Sequence, residues 1–270
     1  MGDKAHNWTD AQIAEMERQL KKYYQDSYNE VSKKMREILA KMNLEKGMTP
    51  AQLYEEARKY GRLEELEKQL TASLRSVNSD SVKMINGKMV NIYQENFNWN
   101  ATKTGVVPLM NKEAIKSILN KDISPFQMLA IDNIKDSALL KNKLTNQLVN
   151  GIIQGDSIKN IAKRIKSVYE VNLSDSIRIA QTETTQVEAR GRYNVGEEAK
   201  KMGFKVYKKW IATNDLRTRD AHAKANGQIV SQDKPFNVGG EKMMYPGDSS
   251  LGASPWNIIN CRCTMVSILK

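Results

Sequence analysis

The chain reads as an α+β protein: long N-terminal helices, then a helical region, then a small C-terminal α+β domain with short antiparallel strands. Three observations carry that reading. Apolar residues recur every three or four positions through most of the first 200 residues. After Gly203 the period shortens and turn residues crowd together. Nearly all of the distinctive chemistry, including one of the two histidines and both cysteines, lies beyond Trp210.

The elements follow in order. Thr9-Asp10 predicts the cap of a helix reaching about Lys46, with Ile13, Met16, Leu20, Tyr24, Tyr28, Val31, Met35, Ile38 and Met42 on one side. Gly47 stops it, and Thr49-Pro50 opens a second helix lined by Leu53, Ala57, Leu63, Leu66, Leu70 and Leu74, despite Gly61. A third runs from Ser81 to about Asn98. Narrow apolar stripes and charged outer faces suit a hairpin or bundle that docks on a neighbour, so residues 1–100 are expected to form a docking region. Residues 98–110 read as a loop opening a linker and helical region over 101–172, with helices at Asn111–Asn120, at Ser124–Val149 and from Asp156-Ser157.

Leu173-Ser174 begins the last domain, 173–270. Its first helix, Asp175–Met202, ends at Gly203 and contains Gly191 and Gly196. Each interior glycine costs about 1 kcal/mol relative to alanine, so close packing or a bend is expected there. Strands are predicted at Lys205–Ile211, Gly227–Val230 and Thr264–Leu269, with turns at Gly239-Gly240 and Pro246-Gly247-Asp248. Trp210 is expected in the core, and Tyr23, Tyr24 and Tyr28 on a packing face.

Charge narrows the function classes. The chain carries 42 basic and 31 acidic residues, a net +11. Residues 1–100 hold 16 basic and 15 acidic (+1); residues 101–270 hold 26 and 16 (+10). Diffuse basicity without a run of five Lys or Arg suggests non-specific contact with a polyanion such as DNA. No apolar stretch approaches the roughly 18 residues of a membrane span, and the N-terminus has no signal-peptide core. Two cysteines give no disulfide framework. Gly239-Gly240-Glu241 lacks the Lys-Ser/Thr of a phosphate loop, which argues against an ATPase.

Cys261 and Cys263 admit three readings. They are buried structural thiols, ligands that share a metal such as zinc with His222, or a strained short-range disulfide. Asp215, Arg217, Arg219 and His222 also admit three: a turn stapled by Asp–Arg pairs, a contact for DNA or portal, or a hydrolytic centre in which His222 moves a proton while Arg217 and Arg219 stabilise a phosphate.

Several ordered blocks then carry a resemblance. I-A-Q-T-E-T from Ile179, W-I-A-T-N-D-L-R-T-R-D-A-H from Trp210, N-G-Q from Asn226, F-N-V-G-G-E from Phe236, M-Y-P-G-D from Met244 and N-C-R-C from Asn260 resemble the Mu-F-like minor head proteins of tailed phages, the head-morphogenesis family, over about residues 120–270. Asp215, Arg217, Arg219, His222, Gly227, Pro246, Gly247, Asp248, Asn260, Cys261, Arg262 and Cys263 stand at its signature positions, while Gln181 departs from a commonly basic one. The resemblance implies a non-enzymatic minor capsid protein of the phage head interior or portal vertex, present in the host cytoplasm during assembly. It would be associated with the portal protein and with scaffold or major capsid protein, and act in procapsid assembly and in DNA packaging or ejection. The family includes heads fused to toxin domains; with the chain ending just after N-C-R-C-T-M-V-S-I-L-K, no added effector domain is expected. The alternative is an enzyme that cleaves nucleic acid or modifies nucleotides through His222 and the nearby arginines.

Overall fold

A computed structural model describes residues 3–41, 48–59, 61–106, 137–213 and 215–270. It bears out the α+β architecture. Among the described residues five helices come first: α1 (Lys4–Lys41), α2 (Pro50–Lys59), α3 (Arg62–Thr104), α4 (Ser137–Ile153) and α5 (Ile158–Lys201). They are followed by β1 (Val206–Ile211), α6 (Asp220–Ala225), β2 (Ile229–Ser231), β3 (Phe236–Val238), β4 (Glu241–Met243), α7 (Pro255–Ile258) and β5 (Thr264–Leu269). Among the described residues no helix is long and apolar enough to cross a membrane.

Several helix boundaries differ from the sequence reading. α1 starts at Lys4 because Asp3, not Thr9-Asp10, caps it: the Asp3 carboxylate accepts the His6 N–H at 3.0 Å. Thr9 instead turns its hydroxyl back to the Ala5 carbonyl, 2.9 Å away, from inside the helix. Thr49 and Gln52 cap α2 reciprocally, with Thr49 N–H on Gln52 Oε1 (2.9 Å) and Gln52 N–H on Thr49 Oγ1 (3.3 Å). Gly61, expected to be tolerated within a helix, adopts φ +64 and separates α2 from α3.

α3 runs 43 residues without the break expected between Leu74 and Ser81. It also continues through 98–104, which the sequence reading assigned to a loop. Ser81, Asn96, Thr102 and Thr104 satisfy carbonyls one turn back, so these polar side chains do not interrupt the helix. α5 likewise crosses the junction expected at Leu173-Ser174 as one 44-residue helix. The predicted helix Asn111–Asn120 and the start of Ser124–Val149 lie outside the described residues, as does Gly47.

The chain divides into two compact units, each discontinuous in sequence, whereas the expected boundaries at 100 and 172 were contiguous. Unit 1 comprises Met1–Met16, Met84–Met128 and Arg178–Lys270; unit 2 comprises Glu17–Lys83 and Leu129–Ile177. Unit 2 is helical, with Met35, Leu66, Leu70, Leu74, Leu140, Leu144 and Ile165 in its core. A polar seam crosses that core: the Tyr24 hydroxyl donates to Asn78 Oδ1 (2.5 Å) and meets Ser176 Oγ (2.8 Å), and Asn78 Nδ2 donates to Asn172 (3.1 Å). Burial pushes the Tyr24 hydroxyl up to about 12. Tyr28 packs edge-on against Tyr169, so Tyr24 and Tyr28 form an internal packing face, while Tyr23 is exposed.

Unit 1 contains the C-terminal strands. β1 is the centre of a three-stranded antiparallel sheet, order β2-β1-β5, and β3–β4 form a separate hairpin. The three-residue strands β3 and β4 were not foreseen, although Gly239 (φ +62) and Gly240 (φ +89) form their predicted turn. Gly191 and Gly196 mark close approaches within unit 1. A Cβ on Gly191 would lie 2.7 Å from the Tyr93 carbonyl oxygen of α3, and one on Gly196 would lie 2.5 Å from Gln232 Oε1. Gly191→Ala is therefore expected to destabilise by about 1–3 kcal/mol through overpacking, against the sign of helix propensity. Gly87→Ala, where a Cβ meets nothing within 4 Å, is expected to stabilise. Thermal melts of the two variants check the pair; an unchanged melt for Gly191→Ala removes the packing account.

Candidate functional site

In unit 1 three of the residues that could carry chemistry, His222, Cys261 and Cys263, converge on one buried point. α6 brings in His222, and the loop between α7 and β5 brings in Cys261 and Cys263. Asn260 makes this possible by taking a left-handed turn, φ +56, at the end of α7. His222 Nδ1 lies 3.3 Å from Cys263 Sγ and 3.6 Å from Cys261 Sγ. All three ligand atoms lie within 4.8 Å of one another, and all three residues are buried. The Cys263 N–H points at Cys261 Sγ from 3.4 Å, a contact that favours charge on sulfur.

The two thiols are electrostatically unequal. The hydrogen bond from Cys261, helped by His222, holds Cys263 well below the ordinary thiol range against the effect of burial. Cys261 is pushed well up by Cys263 and by burial. Apolar walls surround the cluster: Trp210 stands edge-on to His222 (5.8 Å) and to Phe236 (5.3 Å), with Ala225, Val238, Met243 and Ile258 in the same core. Trp210 is completely buried, as expected. His222 Nε2 and Trp210 Nε1 are buried without a hydrogen-bond partner among the described residues. Two sulfurs and one imidazole nitrogen form the soft donor set that suits a tetrahedral zinc ion.

The cysteine loop is clamped carbonyl by carbonyl. Arg219 donates to the Ile259 oxygen (2.5 Å), Thr185 to that of Cys261 (2.5 Å) and Thr213 to that of Arg262 (2.5 Å). The Asn260 N–H donates to Thr182 Oγ1 at 3.1 Å. Arg262 grips Asp215 through two 2.6 Å hydrogen bonds, which hold the Asp215 carboxyl far below the usual carboxylate range. Asp215 also accepts the Arg217 N–H (3.0 Å), while the Arg217 side chain is 77% exposed. The described contacts thus bring His222 to the thiols and leave Arg217 at the surface. Gly227 uses φ +80 to place its N–H on the Trp210 carbonyl (2.9 Å). Pro246, Gly247 (φ +82) and Asp248 form a turn, in which Asp248 accepts from Met244 N (2.8 Å) and from Ser250 N (2.9 Å) and Oγ (3.0 Å).

A buried ionic network in the same unit went unread in the sequence. Arg192, 0% exposed, forms a bidentate pair with Asp3 and reaches Glu188 (3.2 Å), Asn96 (2.9 Å) and the Met265 carbonyl (3.3 Å). Its guanidinium lies 4.4 Å from the Trp99 ring centre. Glu188 also accepts from Thr264 (2.7 Å) and meets His6 Nδ1 (2.9 Å). Burial alone would lower His6, but Glu188 and Asp10 outweigh it and hold the imidazole above its ordinary value. A Glu and an Arg at i,i+4 was the available signal, and it reads equally well as a solvated helix face.

Comparison with known proteins gives the following similarities. The family model described as Phage Mu protein F like protein matches residues 142–266. The minor head protein GP7 of Bacillus phage SPP1 is 23% identical over 283 residues, which cover 99% of this chain and 86% of that protein. The NAD(+)–arginine ADP-ribosyltransferase EFV of Enterococcus faecalis is 29% identical over 163 residues, or 60% of this chain. The chain spans only about a third (33%) of that transferase. No solved structure gives a significant match.

Proposed function

We propose that this chain, which matches the phage Mu protein F like family model over residues 142–266, is a minor capsid protein associated with the portal, acting in procapsid assembly and in DNA packaging or delivery. The observation that carries the reading is the alignment with a minor head protein along 99% of the chain. The long N-terminal helices, within residues 1–100, are assigned the contact with portal, scaffold or major capsid protein. The charge excess of residues 101–270 supports a non-specific DNA contact. The protein is placed at the portal vertex or head interior, after assembly in the host cytoplasm.

In this reading the chain works through surfaces rather than bond-making. Burial of His222 against two thiols, with Arg217 exposed, supports that choice over nucleic-acid cleavage by these residues. The thiol–imidazole cluster is assigned to structural zinc, which would tie α6 to the loop before β5. Procapsids assembled with and without portal test the docking role. The chain is expected to sediment with portal-containing shells and to be depleted from portal-less ones, and equal amounts in both would remove the portal assignment.

A further inference from the structure

We propose that the outward face of the β2-β1-β5 sheet binds single-stranded nucleic acid, with Tyr207 as a stacking platform and Lys205, Lys209 and Lys270 as phosphate contacts. The inference deepens the polyanion contact proposed above and rests on it.

Strand alternation divides the sheet into two faces. Val206, Lys208 and Trp210 of β1 are buried, as are Met265 and Ser267 opposite them on β5. The intervening residues form the other face. Tyr207 stands between Ser231 and Ile268, and Lys209 between Ile229 and Val266. Each of these six is half-buried or exposed, and Ile229 is 54% exposed. None of these positions carries a carboxylate. Lys270 and Lys205, both exposed, place their ammonium groups 5.1 and 5.7 Å from the Tyr207 ring centre.

An aromatic ring on an open sheet face, flanked by cations and by Ile and Val side chains, matches the two needs of an unpaired strand: a surface on which a base stacks, and charges that track its phosphates. The lysine stems are long enough to swing from the ring to a phosphate once a base covers it. A duplex offers no unstacked base and would gain nothing from Tyr207. An apolar protein partner, or the same face of a second copy, would desolvate three ammonium groups without supplying anions, an unfavourable exchange. Charge complementarity therefore selects a polyanion.

The test measures fluorescence anisotropy of labelled oligothymidine and of a labelled duplex, with the full chain, across a salt series. Tyr207→Leu is expected to weaken oligothymidine binding about tenfold and to leave duplex binding unchanged, while Tyr207→Phe retains it. Lys209→Gln is expected to reduce the salt slope on the single strand by about 0.7, more than the same charge loss at the exposed Lys224 of α6. If the wild type binds but Tyr207→Leu and Lys209→Gln do so equally well, the sheet face is wrong and the broader polyanion contact stands. If the wild type binds neither probe at low salt, both fall. A wild-type dimer that dissociates on Tyr207→Leu would make the face a self-interface and overturn the proposal. Should Tyr207→Leu melt early, the Lys205→Gln, Lys209→Gln pair decides the matter.

Discussion

Arg192→Met is expected to destabilise unit 1 by about 3–5 kcal/mol, the usual consequence of removing one partner from a buried charge cluster. The substitution leaves the Asp3 carboxylate and the nearly inaccessible Glu188 without their common cation. It also frees Asn96 Oδ1 and removes a guanidinium from the face of Trp99. For a unit of this size the loss corresponds to a fall in melting temperature of about 10 °C. The double variant Arg192→Met, Glu188→Gln is expected to recover part of the loss, because a neutral amide buried in place of a carboxylate needs no counter-charge. A single-variant loss below about 1 kcal/mol would show that the cluster contributes no more than a surface pair. No recovery in the double variant would show that packing, not charge, accounts for the loss.

The second large effect concerns the thiols. Protein purified without an affinity tag is expected to contain one zinc per chain, and chelation is expected to lower its melting temperature. At metal concentrations about a thousandfold above the dissociation constant, binding stabilises the folded state by about 4 kcal/mol. His222→Ala and Cys263→Ser are expected to melt early with or without chelator, since each deletes a ligand. Wild-type protein that holds no metal and melts identically with chelator would return Cys261 and Cys263 to plain structural thiols.

The parts of the fold that were legible had local causes. The last strand matches its predicted bounds because Thr264–Leu269 is an apolar and β-branched run that begins just after the cysteine loop. Gly203 ends its helix in a positive-φ conformation open to glycine. The glycines in α5 were correctly suspected of close packing because each is a local expense that packing must offset. The helix starts expected at Thr9 and Ser81 failed because both hydroxyls bond the carbonyl one turn back from inside a helix. The cluster of His222 with the two cysteines was open in the sequence as a set of candidates, since residue types suggest ligands but only tertiary closure brings 222 to 261. Arg192 and Asp3 lie 189 positions apart, and no pattern within one helix connects them.

Because α1, α3 and α5 each supply residues to both compact units, no single cut in the polypeptide releases either unit whole. A fragment beginning near residue 178 would keep all five described strands and both cysteines. It would nevertheless lack Asp3, His6, Asn96 and Asn100, and with them the groups that hold Arg192, Glu188 and the backbone N–H of Ser267. The C-terminal sheet thus takes its final form only once side chains from α3 and from the segment around Asp3 have joined it.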